Sequence, residues 1–445
     1  MAKRDSTLVV GAGISGLSAA VLLARGGRSV ELWEGGVRPG GMLAGISFLG
    51  LPYDRGSHRI HPESHPLLRE LTAAEEWEVR PRDGRLLISG RVVPYPLDPR
   101  AFLRGIGLRA TTSMAWGWLR RPGAFAAFRA WEDDRREAGE SDEGFEAFVV
   151  RRVGHSAYER FYRPYVEKVW GLPPEQLSRT VAKQRVSTSA PLDSFRRSIR
   201  RKGNSDRSFL YPRGGMDALI RRLSTMADEL GVVRRVGRHF DLDTDGDSWQ
   251  AVLYSGRLSE LVPSAGLAHR GLYLIHVAVP RGQIPPHDTW YAPGPEFWFG
   301  RVSQPARFSD SLQAEAHDVL CIEIPEGRWG PDADFTQQLD TIGQQLQQAG
   351  ILPPGCPIVE ARQTWLPTVY PIYRRGWLSD WQAAFESVAA RGNVFPIGRQ
   401  GLFLHCNMDH CVYISDEAVR HLELGGDARA WAVRCREFLD LRVRD

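Results

Sequence analysis

The chain has 445 residues, with 57 basic and 53 acidic side chains and a net charge of +4. A hydrophobic content of 42% with 25% charged residues supplies a full core and excludes disordered, collagen-like and disulfide-stapled classes. A basic excess this small argues against a dedicated nucleic-acid binder, and the length suggests two or three domains of roughly 150 residues each.

In chain order, Thr7-Leu8-Val9-Val10 reads as a short buried strand. Gly11-Ala12-Gly13-Ile14-Ser15-Gly16 follows, then an Ala- and Leu-rich helix from Leu17 to Ala24. A second strand, Ser29 to Trp33, ends in Glu34, 23 residues after the first glycine. Strand, GxGxxG, helix, strand and acid in this order form a dinucleotide site. Gly11 permits the tight turn, Gly13 admits a pyrophosphate to the backbone, and Gly16 lets helix and strand pack closely. The helix start at Ile14 and Ser15 offers N–H groups and a positive dipole end to the phosphates. Glu34 can accept from ribose hydroxyls. The motif by itself does not separate FAD from NAD. The apolar run Leu8 to Ala24 is too short and too early for a membrane span, and it lacks a signal-peptide layout. A cytoplasmic protein is expected.

Residues Leu67 to Leu71 read as a short helix, and Gly84 to Val93 as a hairpin turning at Ser89-Gly90. The run Pro94 to Pro99 is extended, and 100–170 is largely helical by spacing. Within it, Met114 to Arg121 reads as core with snorkelling arginines rather than as a membrane contact. The basic segment Arg196 to Asn204 reads as a solvated loop, with a lid over an anionic substrate as its functional alternative. A helix is expected over Asp217 to Leu230, with strands near 232–240 and 250–254. An alternating strand is expected at Gly271 to Val279 and an apolar one at Val319 to Ile324. A Gln-rich helix spans 335–349, a last strand Asn393 to Ile397, and Asp409 opens the final helices. There is no internal repeat.

Only four of the basic residues are lysines, Lys3, Lys168, Lys183 and Lys202. This bias is mostly compositional, so an arginine is given a role only inside a motif. The five cysteines, Cys321, Cys356, Cys406, Cys411 and Cys435, form an odd, sparse set that suggests free thiols in a reducing compartment. The run His405 to Cys411 matches no zinc spacing, and no metal is expected.

After Glu34 the chain reads Gly35-Gly36-Val37-Arg38-Pro39-Gly40-Gly41-Met42 and then Tyr53-Asp54-Arg55-Gly56-Ser57-His58. This resembles the flavin-containing amine oxidase and protoporphyrinogen oxidase superfamily. The resemblance implies FAD, with Gly40, Gly41 and Met42 along the pyrophosphate and His58 close to the flavin ring. Four further segments resemble the UDP-galactopyranose mutase branch and its protoporphyrinogen-oxidase-like relatives: Phe161 to Gly171 running on to Arg185, Phe209 to Gly215, Trp298 to Val302, and Thr368 to Tyr373. The last is followed by Gly398-Arg399 and Asn407-Met408-Asp409-His410. On this resemblance Arg185 and Arg301 hold a diphosphate, Trp170, Tyr370 and Tyr373 line the substrate site, and Gly398, Arg399, Met408 and Asp409 meet the flavin. Met408 stands where that branch usually has Gln. His58, Arg301 and Tyr370 are the candidate catalytic residues.

The implied fold is α/β: a Rossmann-like FAD-binding domain of the two-dinucleotide-binding-domain flavoprotein type, with an inserted mixed α+β substrate domain. The expected boundaries are 1–70, 205–265 and 385–445 for the FAD-binding domain. The substrate-binding region takes 71–204 and 266–384, a helical insertion plus an antiparallel sheet. The implied function is an FAD-dependent oxidoreductase that takes a hydride from an anionic biosynthetic substrate of sugar or nucleotide-sugar type onto flavin N5. The alternative is a redox-neutral, mutase-like sugar ring isomerase that uses reduced flavin N5 as nucleophile. A flavin-bound scaffold without turnover is the reading from another class. The partner expected is a small anionic molecule and not a nucleic acid; the oligomeric state stays open.

Overall fold

A computed structural model describes residues 6–62, 64, 66–71, 77–88, 90–95, 112, 144–185, 208–327 and 329–441. The segments Met114 to Arg121 and Arg196 to Asn204 lie outside the described residues, as does the side chain of Arg185 at the end of helix Arg179–Arg185. The chain divides into two units. One comprises Met1–Val79, Phe209–Ala268 and Leu378–Asp445; the other comprises Arg80–Ser208 and His269–Trp377.

The first unit is built on a five-stranded parallel sheet. Its order is Val394–Pro396, Ala251–Tyr254, Ser6–Val10, Ser29–Glu34 and Val233–Val236. Strand Ser6–Val10 is central and apolar, as a parallel strand covered on both faces must be. From it the chain moves outward through helix Ile14–Arg25 to Ser29–Glu34, and later returns to its other side at Ala251–Tyr254. The order of strands therefore reverses at Val10 and Tyr254, and ligands of open α/β sheets bind outside the strand ends at such a point. Helix Ile14–Arg25 is buried along most of its length and packs on helices Met216–Glu229 and Met408–Glu423.

The second unit carries a seven-stranded sheet in the order Glu360–Pro371, His269–Pro280, His317–Pro325, Arg301–Ser303, Thr289–Tyr291, Gly84–Ile88 and Arg91–Tyr95. All neighbours are antiparallel except Thr289–Tyr291 with Gly84–Ile88. Strand His269–Pro280 is buried at every position from Gly271 to Val279, so both of its faces are covered and alternation is not what selects it. Tyr273, Ile275, Val277, Leu320 and Ile322 join Ile342 and Leu346 of helix Leu339–Gln348 in one core. Strand Glu360–Pro371 is twelve residues long and is not among the strands expected from the sequence. It contains Pro367, which lacks a ladder donor, and it lies at the sheet edge with a bulge opposite Gly271. A Cβ at Gly271 would lie 1.9 Å from the Trp365 ring, so this position excludes any side chain.

The helical part of the second unit includes Phe145–Val153, a π-turn at Tyr158–Tyr162 and Arg163–Trp170. Pro164 sits in the first turn of the last helix, where a missing N–H costs nothing, and Gly171 ends it in the left-handed region. No helix among the described residues is long and apolar enough to cross a membrane.

Candidate functional site

The glycines at the strand switch point divide into two kinds. Gly11 has φ +91°, and a Cβ there would lie 2.5 Å from Ser255 Oγ, which itself donates to Val10 O at 2.7 Å. A Cβ at Gly16 would lie 1.8 Å from Gly11 O. Both positions are therefore demanded by the protein's own packing. Gly13 differs: its φ of −78° is open to any residue, and a Cβ would meet only Gly41 Cα, at 3.9 Å. Nothing in the protein requires glycine there. A ligand drawn against the backbone does, and this is the position the motif reserves for the pyrophosphate.

The other cofactor candidates of the first unit gather around this loop. Gly40 N donates to Ala12 O at 2.8 Å, and Gly41 faces Gly13 across the cradle. Gln400 Nε2 meets Met42 Sδ at 3.7 Å. Gly398 has φ +70°, and a Cβ on it would lie 2.1 Å from Ser15 Oγ. Arg399 donates to Cys406 O at 2.9 Å and meets His405 Nδ1 at 2.8 Å. Helix Met408–Glu423 begins one residue before Asp409, capped by Asn407 and His410, and its Ser415 donates to Ser15 O at 2.9 Å. Ile14 and Ser15 open helix Ile14–Arg25, and Gly13 caps it without a side-chain acceptor. Glu34 accepts from Ala12 N at 2.7 Å and Gly36 N at 2.8 Å, one per oxygen, which leaves further lone pairs for a ribose.

Two arginines near the cradle went unassigned in sequence. Arg55 Nη1 donates to Gly41 O at 3.2 Å. Arg38 donates to Gly45 O and stands 3.7 Å from Asp217, which also accepts from Gly45 N at 3.0 Å. Burial pushes the Arg55 guanidinium down, and the charge of Arg38 adds to the effect. Two cations held this way beside a glycine cradle fit an anionic group such as a pyrophosphate.

The Asp54 to His58 turn is fixed at both ends. Asp54 is buried and accepts from Tyr211 Oη at 2.6 Å and from Met216 N at 2.9 Å. Ile60 bridges to Leu210 through both backbone bonds. His58 lies between these anchors, its Nδ1 3.8 Å from Asp54 Oδ2. The motif Phe209 to Gly215 thereby acquires a physical task. Its tyrosine and its positive-φ Gly214 and Gly215 deliver the start of helix Met216–Glu229 onto Asp54. The sequence carried both segments but not their pairing.

In the second unit, Arg301 and Tyr370 come together. Arg301 Nε and Nη2 donate to the two oxygens of buried Glu323 at 2.8 and 2.7 Å. The Nε and Nη2 edge is thus engaged by Glu323, a partner the sequence did not reveal. Desolvation opposes the charge on Arg301, but Glu323, Tyr370 and Tyr291 outweigh it and push its pKa further up. Trp170 is buried, donates to Pro371 O at 3.3 Å and packs its ring 6.1 Å from that of Tyr370. Tyr373 is buried against Trp377 at 4.3 Å, and its carbonyl accepts from Ser178 N. A cavity of about 420 Å³ elsewhere in this unit is lined by Arg91, Arg160, Glu296 and Phe297 among others, and by none of the substrate candidates.

The His405 to Cys411 run does not converge on a point. His405 engages Arg399, His410 meets Asn407 N at 3.4 Å, and the two thiols contact each other.

A parallel sheet with a glycine-lined cradle at its switch point defines a dinucleotide-binding fold. Residues 14–253 match the flavin containing amine oxidoreductase family, and the chain belongs to that family. Its cofactor is FAD. Reduced UDP-galactopyranose mutase is similar in structure, with TM-score 0.77 and 21% identity over 95% of this chain and 94% of that one. A protein described as a protoporphyrinogen oxidase from Exiguobacterium sp. 255-15 has TM-score 0.68 and 18% identity over 96% and 100% of the two chains. Cyclohexylamine oxidase from Brevibacterium oxydans IH-35A has TM-score 0.60 and 14% identity over 97% and 99%. At these identities the likeness is one of fold.

Proposed function

We propose that the protein is an FAD-dependent oxidoreductase acting on an anionic biosynthetic substrate of sugar or nucleotide-sugar type. The observation that carries the substrate class is Arg301, a guanidinium held in a sheet by Glu323 with Tyr370 and Tyr291 beside it. FAD supplies the hydride acceptor.

The chain's own residues bind, orient and move protons. The backbone at Gly13, Ile14 and Ser15 would hold the pyrophosphate, with Arg38 and Arg55 balancing its charge. Glu34 accepts from the ribose. Gly40, Gly41, Met42, Gly398 and Arg399 border the same cradle. The N-terminal turn of helix Met408–Glu423, with Met408 and Asp409, would offer its positive dipole end to the bound cofactor. On the family resemblance His58, whose Nδ1 stands 3.8 Å from Asp54 Oδ2, is the candidate proton acceptor. In the second unit the Nη1 edge of Arg301 and the Tyr370 hydroxyl donate to the substrate's anionic group, and Trp170 backs Tyr370. Arg185 and Tyr373 join this set on the family resemblance. The partner is a small molecule rather than a nucleic acid or a membrane. A cytoplasmic location goes with this reading, supported by five free, buried thiols.

The same arginine and tyrosine suit a diphosphate leaving group, which favours the redox-neutral sugar ring isomerase as the second reading. The anaerobic visible spectrum of the FAD-loaded protein with a panel of nucleotide sugars separates the two. Bleaching of the oxidised flavin band without added reductant is the outcome expected of the oxidoreductase. Isomerisation of a sugar only after chemical reduction, with no bleaching, overturns it in favour of the isomerase.

A further inference from the structure

Cys406 and Cys411 lie with their Sγ atoms 3.7 Å apart, each 4% exposed. Cys406 precedes the cap Asn407, and Cys411 is the fourth residue of helix Met408–Glu423. These are the two positions that an apolar staple occupies at a helix start. A purely structural staple needs only two small apolar side chains, and buried thiols serve as such.

The surroundings of this pair exceed that need. Cys411 is hydrogen-bonded to Cys406 and to Ser15 of the glycine loop, and it lies in the field of Arg399. Arg399 in turn donates to the Cys406 carbonyl and is held by His405 Nδ1. The bond from Cys406, helped by Ser15 and Arg399, holds Cys411 below the usual thiol range against the effect of burial. The same bond, with burial and the charges of Cys411 and Asp409, pushes Cys406 up. His410 is engaged in capping Asn407. The surroundings of the two sulfurs differ: Ser15 stands beside Cys411, and the charge of Asp409 acts on Cys406. Burial pushes Cys356 and Cys435 up, the latter against the charge of Arg434.

We propose that Cys406 and Cys411 form a redox modification site, which an oxidant of the hydrogen peroxide class converts to an intrachain disulfide. The Cys411 thiolate attacks a peroxide oxygen, the O–O bond breaks, and hydroxide leaves and becomes water. Cys411 is then a sulfenic acid. The Cys406 sulfur attacks the Cys411 sulfur, the S–O bond breaks, and a second water leaves with the Cys406 proton. Two thiols lose two electrons and two protons, and one peroxide becomes two waters. The sulfurs close from 3.7 Å to about 2.05 Å. The bond spans the first turn of the helix whose Ser415 holds Ser15, so the thiol state is coupled to the dinucleotide loop. The inference rests on the first unit alone and is independent of the substrate.

The test uses the full FAD-loaded chain, titrated with hydrogen peroxide, quenched, unfolded, alkylated with N-ethylmaleimide and digested with trypsin. The peptide running from Gln400 to Arg420 holds both cysteines. It should lose both alkyl groups and two hydrogens, reversibly with a thiol reductant, while Cys321, Cys356 and Cys435 stay alkylated. In C406S, dimedone should trap a sulfenic acid on Cys411; in C411S it should trap none on Cys406. Full alkylation of both thiols at peroxide levels that already oxidise methionine overturns the proposal. So does loss of all five thiols in parallel, or trapping on Cys406 instead of Cys411. The wild-type arm stands even if a variant fails to fold, and repeating it without FAD separates this result from any failure of cofactor binding.

Discussion

Three glycines of one motif answer to three different pressures. Gly11 and Gly16 are excluded from substitution by Ser255 Oγ and by a backbone carbonyl, whereas Gly13 has room for a methyl group and an ordinary φ. G16A should therefore destabilise the apoprotein by on the order of 1–3 kcal/mol through overpacking. G13A should leave apoprotein melting within about 0.5 kcal/mol of the parent. It should nevertheless weaken FAD binding by about tenfold or more, a loss of at least 1.4 kcal/mol. Thermal melts of the apoproteins and FAD titrations by fluorescence quenching check both statements. A G13A protein that binds FAD as tightly as the parent would remove the cradle assignment. The packing demand at Gly11 and Gly16 was legible because the motif's spacing repeats a local device, whereas Gly40 and Gly41 were named from the family resemblance. Arg55 and Asp54 were not legible, because their partners lie 14 and 157 residues away along the chain.

At the scale of elements, helix Arg163–Trp170 buries Val166, Val169 and Trp170 and is tied down by one partly buried cation. Lys168 Nζ donates to Ala292 O at 2.7 Å and Phe299 O at 3.0 Å, and so ties the helix to the loop between strands Thr289–Tyr291 and Arg301–Ser303. Burial pushes its pKa down to about 8, against an ordinary 10.5, while Glu296 opposes weakly. Between these values the unfolded chain holds a proton that the folded chain has released. Stability should therefore climb with pH across this window, by up to about 3 kcal/mol at 1.36 kcal/mol per unit. Burial pushes the Tyr53 and Tyr254 hydroxyls up, so their contribution falls away only above about pH 10. Urea unfolding of the parent and of K168M between about pH 8 and pH 10 isolates the lysine. The parent should gain stability relative to K168M as pH rises, and parallel curves would rule out Lys168 as the source. The hairpin, the long central strand and the Gln-rich helix were legible from composition and turn residues. Strand Glu360–Pro371 was not, because an edge strand with an internal proline and a bulge has no clean period.

For the whole molecule, the cofactor candidates come from all three chain segments of the first unit: Gly11 to His58 from the first, helix Met216–Glu229 supporting Asp54 from the second, and Gly398 to Asp409 from the third. FAD should accordingly slow amide hydrogen exchange in peptides from 1–79, 209–268 and 378–445 together. Protection confined to the first segment would dismiss the C-terminal part of the site. What the sequence determined by itself was the dinucleotide loop and the flavin family. A strand, its glycines, the following helix and the acid are contiguous, so their physics is contained in one short window. What only the tertiary structure decided was which polar groups meet: Arg301 with Glu323, Asp54 with Tyr211 and Met216, Ser255 under Gly11, and Cys411 against Ser15. Those meetings depend on strand register and helix docking. Both are set by burying whole apolar surfaces, and no local run of residues encodes where two such surfaces come to rest.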